Sequence, residues 1–355
     1  MRKIITIVGA RPQLVKAAAL SRALAARAVF QEVIIHTGQH YDENMSDIFF
    51  KQMHIPTPHY NLGIGGGSHG EMTGRQLEKI EALIIKEKPE LMVVYGDTNS
   101  TLAGALAAVK LQIPIAHVEA GLRSFNRKMP EEINRIVTDH ISDILFAPTD
   151  KARKNLESEG RPQNSIHIVG DVMYDAAIFY AKLSKMPEKL EGISRDKFIL
   201  CTIHRAENTD DPSRLRSIFE GLGSIDALVV LPLHPRTRKK LNEFGIPIPR
   251  NVYIMEPVGY LEMIWLEQNC KLIVTDSGGV QKEAYFHQKP CITLRDETEW
   301  TELVDIGINT LTGASSEKIS KALLNSNFDE DLFAQKPYGD GNSATKIAAI
   351  LEEFR

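Results

Sequence analysis

Short runs of apolar, β-branched residues alternate with amphipathic segments of helical period from one end of this chain to the other, which restricts it to parallel sheets with crossover helices. The runs Ile4 to Val8, Val33 to His36, Leu91 to Tyr95, Ile115 to Val118, Ile144 to Ala147 and Ile166 to Val169 read as strands. Between them, Gln13 to Ala26, Thr98 to Leu111 and Glu131 to Ile141 read as helices. After Asp171 the pattern gives way to the polar stretch KMPEKLEGISRDK. It resumes with Phe198 to Thr202, Ala227 to Leu231, Val252 to Met255, Leu272 to Thr275 and Cys291 to Leu294. A chain of 355 residues exceeds the size at which a single core stops growing. The expected fold is α/β, with two doubly wound, Rossmann-like domains at residues 1–168 and 169–342 facing across a cleft. A last helix, at about 343–355, is expected to pack back on the first domain.

Composition removes several classes of function. The 42 basic residues against 46 acidic ones leave a net charge of -4, which is no footprint for nucleic acid. No apolar run is long enough to span a membrane, and the opening MRKIITIVGARP is too short and too soon interrupted for a signal peptide. Cys201, Cys270 and Cys291 lack the spacing of metal ligands, and Cys201 and Cys291 sit in apolar runs as core residues. A cytoplasmic location is therefore expected, with no metal. The glycine-rich segment NLGIGGGSHG, residues 61–70, lacks the dinucleotide spacing and reads as a surface loop.

Three carboxylates stand at strand ends or on the loops that leave them: Asp97 in VVYGDTNST, Glu119 in IAHVEAG and Glu131 in MPEEINR. In an open α/β sheet the crevice outside the carboxyl ends binds the ligand, so three acids there point to proton transfer. Taken alone, Asp97 and Glu131 read as helix caps, since acids satisfy free amides at helix N-termini in any protein. Glu119 ends a buried run before Ala-Gly, and a charge there needs a partner or a task. His117, beside it, reads as a core or supporting group.

Groups suited to an anion occur in both halves. Arg11 and Lys16 in GARPQLVK flank a helix N-terminus. The strand ending at Thr275 runs into Asp276-Ser277-Gly278-Gly279 and a helix, where Ser277 and free amides suit phosphate oxygens and Glu283 suits a ribose diol. His204 and Arg205 follow another strand in TIHRAEN, with His234 in a similar position. Phosphate and ribose sites together describe a nucleotide.

The ordered motifs GARPQLVK, HTGQH, GDTNSTLAGALAA, HVEAGLRS, PEEINR, TIHRAEN and TDSGGVQKEA resemble the non-hydrolysing UDP-N-acetylglucosamine 2-epimerases, from residue 4 to about residue 312. The resemblance implies a glycosyltransferase-B type fold, a homodimer, no cofactor, and inversion of C2 of a UDP-linked 2-acetamido sugar through a 2-acetamidoglucal. It assigns proton transfer to Asp97, Glu119 and Glu131. Arg11, Lys16 and His204 would contact the diphosphate and stabilise its leaving, which makes His204 a fourth catalytic residue, while Ser277, Gly278 and Gly279 would hold the phosphate and Glu283 the ribose. Where such enzymes usually carry ERPE, this chain has Glu299-Trp300-Thr301-Glu302, and it has GARPQ for GTRPE. These departures are similar to the branch acting on UDP-2,3-diacetamido-2,3-dideoxy-glucuronic acid, used for surface polysaccharide. That sugar and UDP-N-acetylglucosamine both stay open as substrates. A glycosyltransferase of the same fold would share the UDP site without needing three acids, and a UDP-sugar sensor would need only the binding half.

Overall fold

The computed structural model describes residues 1–39, 50, 54–190, 193, 195–325 and 330–354; His40 of the HTGQH motif lies outside them. The chain divides into two compact units, Met1–Ala176 with Pro337–Arg355, and Ala177–Lys336. Each is built on a parallel sheet with the Rossmann order of strands, so the architecture is α/β with two Rossmann-like units.

In unit 1 the strands are β1 (Arg2–Val8), β2 (Phe30–His36), β3 (Tyr60–Asn61), β4 (Leu91–Tyr95), β5 (Ile115–Val118), β6 (Ile144–Ala147) and β7 (Ile166–Ile168). They pair in the order β3-β2-β1-β4-β5-β6-β7, all parallel, with Ile4 opposite Leu91 and Thr6 opposite Val93 at the centre. The helices are α1 (Arg11–Arg27), α2 (His69–Glu87), α3 (Asn99–Lys110), α4 (Pro130–Ile141), α5 (Asp150–Ser158) and α6 (Val172–Ala181). Helices on both faces bury β1, β4 and β5 from either side, which is why these strands read as unbroken apolar runs. The alanine-rich α3 lies close to the sheet, its Gly104 facing Ile7.

Unit 2 repeats the plan. Strands β8 (Phe198–Thr202), β9 (Leu228–Pro232), β10 (Val252–Met255), β11 (Leu272–Thr275), β12 (Cys291–Thr293) and β13 (Asn309–Leu311) pair in the order β10-β9-β8-β11-β12-β13. Helices α7 (Ala206–Thr209), α8 (Pro212–Leu222), α9 (Pro235–Phe244), α10 (Tyr260–Asn269), α11 (Gly278–Phe286), α12 (Thr301–Asp305) and α13 (Ser316–Leu324) complete it. Alternate residues of β8 enter opposite cores: Ile199 and Cys201 pack with Leu215, Ile218 and Val229, while Phe198 and Leu200 pack with Trp265 and Leu266. All three cysteines are buried.

Two features depart from the sequence expectation. Tyr60–Asn61, at the head of the glycine-rich segment, forms an edge strand against β2, and Gly63, Ile64 and Gly65 pack closely on Gly38 before Ser68 caps α2. The chain also passes between units inside α6 rather than at residue 168. Asp175 belongs to unit 1 because its carboxylate accepts the amides of Ser343 and Ala344 at 3.0 and 2.8 Å. Tyr180, further along the same helix, packs edge-on against Tyr260 of unit 2.

Those two amides open the final helix α14 (Ser343–Glu353), which lies along α1. At its other end Arg2 donates to the carbonyls of Leu351 and Phe354 at 2.8 and 2.7 Å, satisfying groups that a helix terminus leaves unpaired. Arg27 adds an ion pair to Glu352. Burial raises the Asp175 carboxyl above its ordinary range, and the two amides pull it back. Asp175→Ala is expected to lower the unfolding free energy of the protein by about 1–2 kcal/mol, the worth of a lost cap, in chemical denaturation. Asp175→Asn, which keeps an acceptor, is expected to cost less.

Candidate active site

The order of strands in unit 1 reverses between β1 and β4, so the loops leaving these two strands diverge and open a crevice at their carboxyl ends. A single buried side chain joins them. The Oε1 of Gln13 accepts the amides of Gly9 and Ala10 at 2.8 and 3.1 Å, and its Nε2 donates to the Tyr95 carbonyl at 2.7 Å, close to the hydroxyls of Thr98 and Thr101. Gln13 thereby fixes the start of α1 relative to the turn that carries Asp97.

Asp97 does not cap a helix. Thr98 caps α3, accepting the Thr101 amide, and leaves the Asp97 carboxylate to pair with Arg135 of α4. Asn134 donates to the Asp97 carbonyl at 2.9 Å. Burial raises the Asp97 carboxyl above its ordinary range; Glu119 and Glu131 add to the rise, and Arg135 and Lys16 oppose it. The four groups that act on Asp97 are thus the other two candidate acids and two cations. A carboxyl with raised proton affinity is a better proton acceptor at neutral pH.

Glu119 forms an ion pair with Lys16 of α1, and both side chains are largely shielded, at 10% and 12% exposure. Its backbone has φ +72°, a left-handed conformation that a non-glycine residue adopts only under constraint. Gly96, on the Asp97 turn, also has positive φ, and a Cβ there would sit 3.2 Å from Glu119 Oε2 and 3.8 Å from Lys16 Nζ. Its bareness lets the ion pair approach the turn. Glu131 is exposed in the first turn of α4, whose N-cap residue is Met129, so it caps nothing by its side chain. The structural acid is its neighbour: buried Glu132 accepts the amides of Ser124 and Phe125, both at 2.9 Å, and the guanidinium of Arg135 at 3.1 Å. Arg11 is exposed at the first residue of α1. His117 is wholly buried, as a supporting group would be.

In unit 2 the order reverses between β8 and β11, and the sequence-predicted anion groups stand on the two loops concerned. Buried Asp276 holds those loops together, accepting the amides of His204 and Arg205 at 3.1 and 3.0 Å and the Asn208 amide group at 3.2 Å. His204 Nδ1 lies 3.3 Å from the same carboxylate, and its ring is 6.0 Å from that of His234. Burial holds the His204 imidazole below its ordinary value, the charges of His234 and Arg205 act the same way, and Asp276 opposes them. Near neutral pH the ring is uncharged.

Ser277 caps α11, accepting the Val280 amide at 3.4 Å, and Gly278 and Gly279 form its first turn. Over that turn lies a carboxylate the sequence did not assign: a Cβ on Gly278 would be 2.4 Å from Glu299 Oε1 and 3.6 Å from Arg205 Nη2. Arg295 holds the other oxygen of Glu299 at 2.7 Å, and Trp300 Nε1 donates to the Gly278 carbonyl at 2.8 Å. Lys282 stacks its ammonium 4.2 Å above the Trp300 ring. Burial raises Glu283, one turn inside the helix, to about 7, and Lys282 opposes the rise.

Reasoning from strand ends missed groups in the first two turns of helices, in the turn after β11 and in the loop before α12: Gln13, Glu132, Asn134, Arg135, Asp276 and Glu299. Five of them, Gln13, Glu132, Asn134, Arg135 and Asp276, lay within motifs already singled out.

The geometry is that of a family of known proteins. The profile described as UDP-N-acetylglucosamine 2-epimerase matches residues 22–352. A UDP-2,3-diacetamido-2,3-dideoxy-D-glucuronate 2-epimerase of Pseudomonas aeruginosa is 55% identical over 360 residues, covering 99% of this chain and 100% of its own. A UDP-N-acetylglucosamine 2-epimerase of Methanocaldococcus jannaschii is 47% identical, with 98% of each chain covered. The crystal structure of the M. jannaschii UDP-GlcNAc 2-epimerase in complex with UDP-GlcNAc and UDP covers 100% of both chains at 46% identity, with a TM-score of 0.83. With the profile spanning nearly the whole chain and both crevices built from the motifs that first carried the likeness, the protein belongs to the UDP-N-acetylglucosamine 2-epimerase family and is an epimerase.

Proposed function

We propose that this epimerase inverts C2 of UDP-2,3-diacetamido-2,3-dideoxy-glucuronate, with Asp97, Glu119 and Glu131 moving the proton and unit 2 holding UDP. The observation that carries the reading is the electrostatic grouping at the β1 and β4 ends: Glu119 and Glu131 both lie close enough to act on Asp97, and Asp97 and Glu119 are each paired with a cation. The 55% identity to the Pseudomonas aeruginosa enzyme over its full length supports this sugar over UDP-N-acetylglucosamine.

In the elimination step a carboxylate removes the C2 proton, the C–H electron pair becomes the C1–C2 double bond, and the C1–O bond breaks with its electrons passing to the UDP oxygen. Re-addition delivers a proton to the opposite face of C2 while UDP attacks C1. Asp97, with its raised proton affinity, suits the exchange on one face, leaving Glu119 and Glu131 for the other. Lys16 and Arg11 supply positive charge where the diphosphate departs. On unit 2, Ser277, the amides of Gly278 and Gly279, His204 and Arg205 bind the diphosphate, and Glu283, protonated or not, can bond a ribose hydroxyl.

Proton NMR in deuterated water with each UDP-sugar tests the assignment. Deuterium at C2 with a new manno anomeric signal, faster for the uronate than for UDP-N-acetylglucosamine, is expected. The reverse preference removes the proposed substrate, and transfer only to an added acceptor would make the protein a glycosyltransferase. A bound sugar that never exchanges would leave a sensor. Asp97→Asn and Glu131→Gln are each expected to slow exchange by about 10²–10⁴-fold, the range for a lost acid or base, while UDP still binds.

Two binding experiments address unit 2. Removing the Glu299 charge beside the Gly278 turn eliminates repulsion of a phosphate, so Glu299→Gln is expected to tighten UDP binding several-fold at low salt and less at high salt. Unchanged affinity would place the phosphates elsewhere. A diphosphate next to uncharged His204 raises its proton affinity, so UDP binding is expected to take up a proton and to tighten as pH falls. Calorimetry in buffers of different ionisation heat measures that uptake, and its persistence in His204→Gln would exclude His204 as the source.

A further inference from the structure

Behind the unit 1 crevice lies a chain of buried charged groups that no step of the reaction uses. His117, on β5, is wholly buried between two acceptors: its Nδ1 faces Asp139 Oδ1 at 2.7 Å and its Nε2 faces the Gly96 carbonyl at 2.8 Å. The second oxygen of Asp139 accepts the Gly121 amide at 3.1 Å and the Arg123 guanidinium at 2.7 Å. Arg123 in turn donates to both carboxylate oxygens of Glu159, at 2.7 and 2.6 Å. The chain thus runs from a partly exposed carboxylate, through three residues with side chains at 1% exposure or less, to two glycine turns.

These turns flank the candidate acids. Gly96 precedes Asp97 and contacts the Glu119–Lys16 pair; Gly121 follows Glu119 by two residues. Gly96, Glu119 and Gly121 all have positive φ, at +61°, +72° and +81°. The two glycines adopt it freely, but at Glu119 it is strained and persists only where the surroundings over-determine it. Asp139 grips one side of the Glu119 turn through the Gly121 amide, and His117 grips the Asp97 turn through the Gly96 carbonyl. Gly96 also donates to the Val118 carbonyl at 3.0 Å, locking the two turns to each other.

We propose that His117 and Asp139 are positioning residues, a buried clamp that holds the Gly96 and Gly121 turns so that Asp97 and Glu119 meet the substrate at a fixed separation. The clamp rests on the reading of Asp97 and Glu119 as the proton-transfer acids. Neither clamp residue can touch substrate, since both are fully buried. The ionised state of Asp139 agrees with the geometry: burial works against its charge, but His117 and Arg123 together hold the carboxyl below its ordinary range. A misplacement of about 1 Å costs about a hundredfold in rate, so a clamp of this kind acts on kcat.

The two ring nitrogens allow the clamp to be separated from ordinary core packing. Glutamine extends its amide nitrogen toward the Nε2 position and keeps a donor for the Gly96 carbonyl; asparagine extends its own toward the Nδ1 position and keeps only the Asp139 side. His117→Gln is expected to retain kcat to within about tenfold, and His117→Asn to lose about a hundredfold in kcat with KM and UDP affinity little changed. A purely structural role predicts instead that activity falls in proportion to Tm in both variants, and that result overturns the proposal. Backbone hydrogen exchange gives a reading independent of activity. Peptides containing residues 96–98 are expected to exchange faster in His117→Asn but not in His117→Gln, and equal protection in the two variants also overturns the clamp. Should His117→Asn fail to fold, Asp139→Asn, which turns an amide group toward either His117 or the Gly121 amide, is expected to show the same loss of kcat, with faster exchange at residues 119–121. Wild-type protein that never exchanges C2 would sink the epimerase reading, while the hydrogen-exchange comparison would still decide the clamp.

Discussion

In both units the first and fourth strands of the sheet are neighbours, and this one constraint places every group discussed above. Parallel strands direct all their carboxyl ends to one edge, and a reversal of strand order leaves a gap there because successive crossovers depart to opposite sides. Residues from distant parts of the chain then meet without any long loop having to carry them. Lys16 reaches Glu119 across more than a hundred positions because β1, β4 and β5 are adjacent. Asp276 gathers the amides of His204 and Arg205 because β8 and β11 are paired, with Thr202 opposite Thr275.

The same burial that creates the crevices makes charge costly, and the protein answers in two ways. Asp139 is surrounded by His117, Arg123 and the Gly121 amide, so its charge persists despite complete burial. Glu267, equally buried on α10, has no hydrogen bond to either oxygen among the described residues, and the nearest ring nitrogen, of His287, is 3.6 Å away. Burial, and the nearby charge of Glu283, push its carboxyl well above the ordinary range, so it stays neutral. A buried acid that must hold geometry needs a full set of donors; one that gives up its proton-binding charge does not.

What could be read from the sequence follows from the same physics. Leu91–Tyr95, Ile115–Val118, Phe198–Thr202 and Leu272–Thr275 were legible to the residue because strands covered on both faces are near-continuous apolar runs bounded by polar or glycine-containing turns. Tyr60–Asn61 and Asn309–Leu311 lie at sheet edges, where two or three half-covered residues make no pattern. Asp97 and Glu119 stood out because strand ends are where such a sheet exposes polar groups. Glu132, Arg135 and Asp139 did not. They recur along one face of α4 at helical spacing, and a polar stripe on an amphipathic helix reads as a solvent face. Here that stripe turns inward, toward the Asp97 turn, the Ser124 loop and His117.

That inward stripe also accounts for why Glu119 can keep an unfavourable backbone. A left-handed conformation at a non-glycine residue costs on the order of 1–3 kcal/mol, and a free loop would relax out of it. Here relaxation would have to break several bonds at once: the amides of Glu119 and Ala120 both donate to the Phe146 carbonyl, at 3.1 and 3.0 Å, and Gly121 is tied to Asp139. Only glycine fits at 121, since a Cβ there would come within 2.3 Å of the Ala152 carbonyl oxygen. Each bond is ordinary, and together they outweigh the strain. The carboxylate is thereby presented from the tightest part of the turn, next to a glycine that leaves space for Lys16, with no rotation of its own backbone available to move it away.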